Sequence, residues 1–296
     1  MGQVEEMLVQ LAPSLGEPQG KPVALEGGIT NRNFRVRLGA EEYVIRIQGR
    51  DTQLLGIDRE AERAASAAAA AMGIAPALVA ALPGGLVSRF VECTEVPVEE
   101  LRARVDELAR SLRRFHDSAL QLPSAFWVPD LLADYAAIVA ERGQRLPAAY
   151  ERTSATAARI TAAVPLELPR PCHNDLLPGN IIRALEDGAI LIVDWEYAGM
   201  GHPYFDLGNL SVNNDFDDAT DDRLLQAYHS EPPSDASRAR LKLMRVLSDA
   251  REAAWGVAQA AISELDFDFD AYANRHFERL LAAAEARDFE EWLAAA

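Results

Sequence analysis

His173-Asn174-Asp175-Leu176-Leu177-Pro178-Gly179-Asn180, followed by Ile190-Leu191-Ile192-Val193-Asp194-Trp195-Glu196, is the stretch whose reading decides the fold. The apolar run ending at Val193 has the composition of a buried strand, and it ends by delivering a carboxylate, Asp194. NIIRA (180–184) and AILIVDW (189–195) bracket Glu186-Asp187-Gly188, a turn sequence, so the two runs are expected to form a hairpin. The hairpin sets Asp194 beside a loop that offers Asp175 and, five positions on, the carboxamide of Asn180. Such a group can receive a proton and hold a divalent cation through hard oxygen donors. The competing reading is a strand ending in a capped turn, with Asp and Asn bonded only to the backbone. Either motif alone fits that reading, whereas both in this order point to catalysis.

Phosphoryl transfer asks for this set. It needs an aspartate to receive or orient the acceptor hydroxyl, an asparagine and an aspartate on Mg²⁺, and a cation on the nucleotide phosphates. The His-x-Asp-x₄-Asn spacing of the protein-kinase catalytic loop recurs from His173 through Asp175 to Asn180, with Asp194 in place of the Asp-Phe-Gly aspartate. His173 is expected to orient this loop rather than to titrate, and Asp206 in PYFDLGN to hydrogen-bond it from behind.

Outward from the motif, the chain has 296 residues, 49% hydrophobic and 25% charged, which suits one large or two moderate globular domains. A net charge of −17, from 46 acidic against 29 basic residues, disfavours a partner held by a broad basic field, so neither nucleic acid nor an anionic membrane is expected. Lys21 and Lys242 are the only lysines, so a cation required by the chemistry is expected to be arginine. Two cysteines, Cys93 and Cys172, give neither a disulfide framework nor a cysteine zinc site. No apolar run approaches the ~20 residues of a membrane span, and the first residues lack a signal-peptide pattern. A cytoplasmic protein is therefore expected.

Residues 1–16 read as a short amphipathic helix, with Val4, Met7, Leu8 and Leu11 on one side. FRVRL (34–38) and YVIRI (43–47) alternate as a hairpin; Asp58 caps an alanine-rich helix ended by Gly73; 75–82 and 85–92 form a second antiparallel pair around Pro83-Gly84. After Cys93 helical spacing dominates, with VEELRARVDELARSLRRFHDSAL (98–120) periodic throughout. No Pro-, Gly- or Ser-rich linker divides the chain, so the expected domains are a lobe over 1–92 and a helical lobe over 93–296, closely joined, with a ligand cleft between them. NNDFDDATDDR (213–223) departs from a calcium loop at its sixth and twelfth positions, Thr220 and Gln226, and reads as a solvated acidic loop. His116, His202, His229 and His276 lack metal-ligand spacing and are expected to be structural or surface residues.

With HNDLLPGN (173–180), IVDWEYAG (192–199), GGITNRNF (27–34) and AAWGVAQAAIS (253–263) in view, the sequence resembles the choline/ethanolamine kinase and aminoglycoside phosphotransferase superfamily, and within it bacterial choline kinases. The resemblance covers essentially the whole chain. It implies an α+β, protein-kinase-like fold with a small antiparallel-sheet lobe and a larger helical lobe. ATP and Mg²⁺ are the implied cofactors, with Asn180 and Asp194 on the metal.

Residue by residue, the resemblance puts Arg46 of YVIRI where kinases carry the phosphate-binding lysine, with Glu62 of DREAER as its partner and Glu60 as rival. The loop before strand 34–38 offers backbone N–H groups, Thr30 and Asn31 to phosphates, and it is no Walker loop. Ser88-Arg89-Phe90-Val91-Glu92 becomes the hinge for adenine, which brings Phe90 and Glu92 into the cofactor site. For a quaternary ammonium, aromatic faces with nearby carboxylates are the natural host. Glu252, Trp255 and Gln259 share a helical face, and the resemblance assigns Trp255 to the acceptor. Two departures stand out: Ala258 where eukaryotic relatives have a second tryptophan, and Asn213 near where they carry a glutamate. Tyr197 and Asp215 are the candidates to compensate.

The expected function is transfer of phosphate from ATP to the hydroxyl of a small, cationic amino-alcohol, choline first, with Asp175 as catalytic residue. The alternatives are ethanolamine, thiamine, a sugar or an aminoglycoside as acceptor, or a nucleotide-binding module without catalysis.

Overall fold

The computed structural model describes residues 2–25, 31–49 and 52–296. Helix α1 (Gln3–Leu15) buries Val4, Met7, Leu8 and Leu11, the stripe its sequence spacing marks. Strands β1 (Val23–Leu25), β2 (Arg32–Leu38) and β3 (Glu41–Ile47) follow, then α2 (Arg59–Ala71), β4 (Leu78–Leu82) and β5 (Gly85–Arg89). The five strands form one antiparallel sheet in the order β1-β2-β3-β5-β4. Its apolar face, with Val36, Leu38, Tyr43, Ile45, Ile47 and Val87, packs on α1 as a core of its own. Asp58 caps α2 by accepting from the Glu60 and Ala61 amides at 2.8 and 2.9 Å. The buried face of α2 carries Ala61, Glu62, Ala65 and Ala69, and its alanines join the larger second core, so this helix bridges the two parts.

Beyond β6 (Cys93–Glu95) come α3 (Val98–Ala103), α4 (Val105–His116), α5 (Val128–Glu141) and α6 (Ala149–Ala163). The periodic stretch 98–120 is thus two helices rather than one. Arg104, at φ −104° and ψ 15°, breaks it, and its guanidinium reaches the Gly188 carbonyl at 2.7 Å. Then follow β7 (Arg170–Cys172), β8 (Ile181–Ala184), β9 (Ile190–Ile192), β10 (Gly199–Gly201) and α7 (Pro203–Asn213). Strands β8 and β9 form the expected hairpin, and β6 pairs with β8. Gly188 takes the left-handed conformation its turn requires, at φ +72°.

Helices α8 (Asp218–His229), α9 (Asp235–Ile262), α10 (Phe269–Glu285) and α11 (Asp288–Ala295) complete the chain. The acidic stretch 213–223, expected as a solvated loop, is largely helical from Asp218, with Asp217 as N-cap. Its Asp221 is buried against Lys242 at 2.8 Å and Arg245 at 2.7 Å, so these cations from α9 draw the acidic segment onto the body. The 28-residue α9 runs through the large core and packs on α5, α7 and α10. Among the described residues no helix is long and apolar enough to cross a membrane.

Candidate active site

The loop 173–180 leaves β7 and is held from behind. Asn174 adopts a left-handed conformation, φ +67°, which turns two successive amides toward α7. There Asp206 accepts from the His173 amide at 2.8 Å and the Asn174 amide at 2.7 Å, as the sequence reading expects. His116, fully buried, donates from Nε2 to Asp206 Oδ2 at 2.9 Å and fixes that carboxylate in turn. His116 and His173 together hold the Asp206 carboxyl below its ordinary range although burial opposes this. His173 bridges the loop to the β9 end through Nε2 to the Val193 carbonyl, 3.0 Å. Burial lowers its pKa, so it serves as a neutral strut.

This scaffold presents the three residues of the motif. Asn180 Nδ2 donates to the Asp175 carbonyl at 2.8 Å and to Asp175 Oδ2 at 3.0 Å. Among the described residues its Oδ1 accepts no hydrogen bond, which leaves a carboxamide oxygen free. Asp194 follows β9 in the left-handed region, φ 65° and ψ 61°, which throws its carboxylate off the strand line and into the cleft. A carboxylate and a carboxamide oxygen on one side of a cleft form a donor set that fits Mg²⁺.

Facing them is a cluster of cations and carboxylates. Arg46 pairs with Asp194 and lies 3.6 Å from Glu62 and 3.5 Å from Glu196. Glu62 is 1% exposed, whereas the Glu60 side chain is 72% exposed and among the described residues pairs only with Arg63; the α2 partner of Arg46 is Glu62. Burial alone would lower the Arg46 pKa, but Asp194, Glu196 and Glu62 outweigh it and hold the guanidinium charged. Two members of the cluster escaped the sequence reading. Glu196 is buried and accepts from Asn31 Nδ2 at 2.9 Å and Arg59 Nη1 at 3.3 Å, and Arg59 also bonds Glu62 at 2.8 Å. Burial, with Asp194 beside it, raises the Glu196 pKa. Asn31, expected at phosphates, is thus committed to Glu196 and is absent from the cleft lining. Thr30 lies outside the described residues.

The cleft has a volume of about 640 Å³. One end is lined by Leu78, Leu86, Phe90 and Val91, the expected hinge. Phe90 stacks under Arg35, whose Cζ is 4.0 Å from the ring centroid. Glu92 is exposed, off the cleft, and its carbonyl already accepts from the Leu185 amide at 2.8 Å. Of the stretch expected as the hinge, Ser88, Arg89, Phe90 and Val91 line the cleft and Glu92 does not.

The opposite end brings Asp175, Tyr197, Glu252 and Trp255 together with two residues that the sequence reading did not single out, Arg251 and Tyr272. Arg251, 2% exposed on α9, donates from Nη1 to Asp175 Oδ1 at 3.0 Å and to Glu252 Oε1 at 2.8 Å. Its Cζ stands 4.2 Å from the Tyr197 ring centroid. The Trp255 indole donates to the Tyr197 hydroxyl at 2.8 Å, and Tyr272 donates to Glu252 Oε2 at 2.7 Å. Trp255 and Tyr272 rings meet edge to face, 5.5 Å apart. Asp175 has its pKa raised to about 8, chiefly by burial, with Arg251 opposing and Glu252, Asp194 and Glu196 adding to the rise. Asp215 does not join this end. It is exposed at φ +51°, outside the cleft lining, with its carbonyl taken by Arg102. Gln259 is buried and also lies off the cleft.

The family model described as "Phosphotransferase enzyme family" matches residues 22–244. Protein LicA of Haemophilus influenzae is 25% identical over 214 residues, an alignment that covers 70% of this chain and 62% of LicA, so the chain spans under two thirds of that relative. Among solved structures, a choline/ethanolamine kinase family protein from Mesorhizobium loti is 30% identical with a TM-score of 0.81, covering 99% of this chain and 98% of the other. Choline kinase LicA from Streptococcus pneumoniae, 22% identical, superposes with a TM-score of 0.79 over 100% of both chains.

Proposed function

The chain belongs to the phosphotransferase enzyme family and within it to the choline/ethanolamine kinases, and we propose that it transfers the terminal phosphoryl group of ATP to the hydroxyl of a small amino-alcohol, choline before ethanolamine. The observation that carries this reading is the convergence in one cleft of Asp175, Asn180 and Asp194 with Arg46, half-buried and backed by the buried Glu62. Asp175 receives the acceptor hydroxyl, orients it and takes its proton as the new P–O bond forms and the bond from the γ-phosphorus to the bridging oxygen breaks, releasing ADP. Arg46, aimed by Glu62, meets the nucleotide phosphates, and the backbone edge at Phe90–Val91 meets adenine. Asn180 Oδ1 and the Asp194 carboxylate would hold Mg²⁺, which supplies neutralisation of charge on the phosphates.

The choice of choline follows from hydrogen-bond accounting. Each oxygen of Glu252, the carboxylate beside the aromatic wall, already accepts a bond from inside the protein. A primary ammonium has N–H groups to satisfy, and Glu252 has one lone pair on each oxygen already occupied by Arg251 and Tyr272. A trimethylammonium has none and needs only aromatic faces and nearby negative charge, which Trp255, Tyr272 and Glu252 offer. ADP release over a panel of choline, ethanolamine, thiamine, sugars and aminoglycosides tests the reading. Choline is expected to give the highest kcat/KM, and Trp255→Ala to lose much of the choline rate. A sugar or aminoglycoside as best acceptor, or no turnover on any of the panel, would overturn it.

A further inference from the structure

Tyr272 stands on the wall of the acceptor end of the cleft, yet its hydroxyl points into the protein. It donates to Glu252 Oε2 at 2.7 Å; Glu252 Oε1 accepts from Arg251 Nη1 at 2.8 Å; the same nitrogen reaches Asp175 Oδ1 at 3.0 Å; and Asp175 Oδ2 accepts from Asn180 Nδ2 at 3.0 Å. Five side chains thus link α10 to the catalytic loop without a gap. The inner three are 1–7% exposed, so water has little access and each bond polarises its neighbour. Burial, reinforced by Glu252, keeps the Tyr272 phenol well above its usual pKa, and it therefore acts as a donor throughout the working range. A second arm reaches the same guanidinium, since Arg251 stacks on Tyr197 and Tyr197 accepts from Trp255. Arg251 is therefore the junction between both aromatic walls and Asp175.

We propose that Tyr272 is a positioning residue: through Glu252 and Arg251 its hydroxyl sets the orientation of the Asp175 carboxylate, so that the acceptor wall and the base are aligned as one unit. The inference rests on the reading that Asp175 receives the acceptor hydroxyl. A wall residue that only contacts the acceptor acts on KM, whereas a group that aims the base acts on kcat. The hydroxyl and the ring of Tyr272 are separable, because phenylalanine keeps the ring against Trp255 and removes only the relay donor.

The test is steady-state kinetics with choline on wild type, Tyr272→Phe, Glu252→Gln and the double variant, each with its melting temperature and ATP affinity. Tyr272→Phe is expected to lose about tenfold in kcat, which corresponds to about 1.4 kcal/mol, with the choline KM within about threefold. The double variant is expected to lose little more than either single one, because both cut the same relay. A raised KM with unchanged kcat in Tyr272→Phe, unchanged kinetics, or additive losses in the double variant would overturn the relay. Should Tyr272→Phe not fold, Glu252→Gln reads the next joint, and an undiminished kcat there is equally contrary. A wild type that turns over no amino-alcohol would overturn the proposed function itself, while choline turnover with additive losses would overturn the relay alone.

Discussion

Arg251 and Asp175 meet in the floor of the cleft, Nη1 to Oδ1 at 3.0 Å, with the guanidinium 2% exposed. This contact places a fixed cation against a carboxylate that burial drives toward its neutral form. Arg251→Met would leave Asp175 and Glu252 buried side by side without their shared counter-charge. A stability loss of about 3–5 kcal/mol is expected in urea unfolding. Arg251→Lys, which keeps the charge but not the fork, should fall between the variant and wild type.

Glu62 and Glu60 provide an internal comparison on one helix. Removing the Glu62 carboxylate frees Arg46 to settle wholly on Asp194 and Glu196, so Glu62→Gln should raise KM for ATP or lower kcat, with kcat/KM down by about tenfold or more. Glu60→Gln, exposed and paired among the described residues only with Arg63, should be close to wild type. Equal effects at the two positions would refute the pairing.

His202 predicts an acid limit to stability. Its Nδ1 accepts from the Tyr204 amide at 3.1 Å as the N-cap of α7, a role that requires the neutral ring, and burial pushes its pKa down to about 4. An unfolded histidine titrates near 6.5. Between these values the unfolded chain binds a proton that the native state refuses, so stability falls as pH drops from about 6.5 toward 4 and is unaffected by this group above that window. His202→Asn, a capping residue that does not titrate, should flatten part of the fall in melting temperature between pH 7 and pH 5.

Much of the catalytic loop was legible because Asp175, Asn180 and Asp194 lie in linear motifs whose turns the local residues enforce. Glu62 was also within reach: with Ala65 and Ala69 it repeats at three and four positions, the face of α2 that turns inward, and Glu60 is off that face. Glu196 was not, since a tight turn after Asp194 rather than strand alternation buries it. Arg251 carried a faint signal, a charged pair inside the apolar run of α9, but which carboxylate it meets depends on tertiary packing. Tyr272 sits on a different helix from every other acceptor candidate, and only the packing of α10 on α9 brings it in. The same dependence on packing misplaced Asp215, which leaves α7 in a left-handed turn toward Arg102, away from the cleft.

The most direct test of the account is Asp175→Asn assayed side by side for turnover and nucleotide binding. Loss of the base should reduce ATP-dependent phosphorylation of choline by roughly 10²–10⁴-fold. Affinity for Mg·ATP, which Arg46 and the hinge edge govern, should stay within about threefold of wild type, a difference below about 1 kcal/mol. Turnover near the wild-type rate in a folded Asp175→Asn protein would contradict the assignment of Asp175, and with it the mechanism built around the cleft.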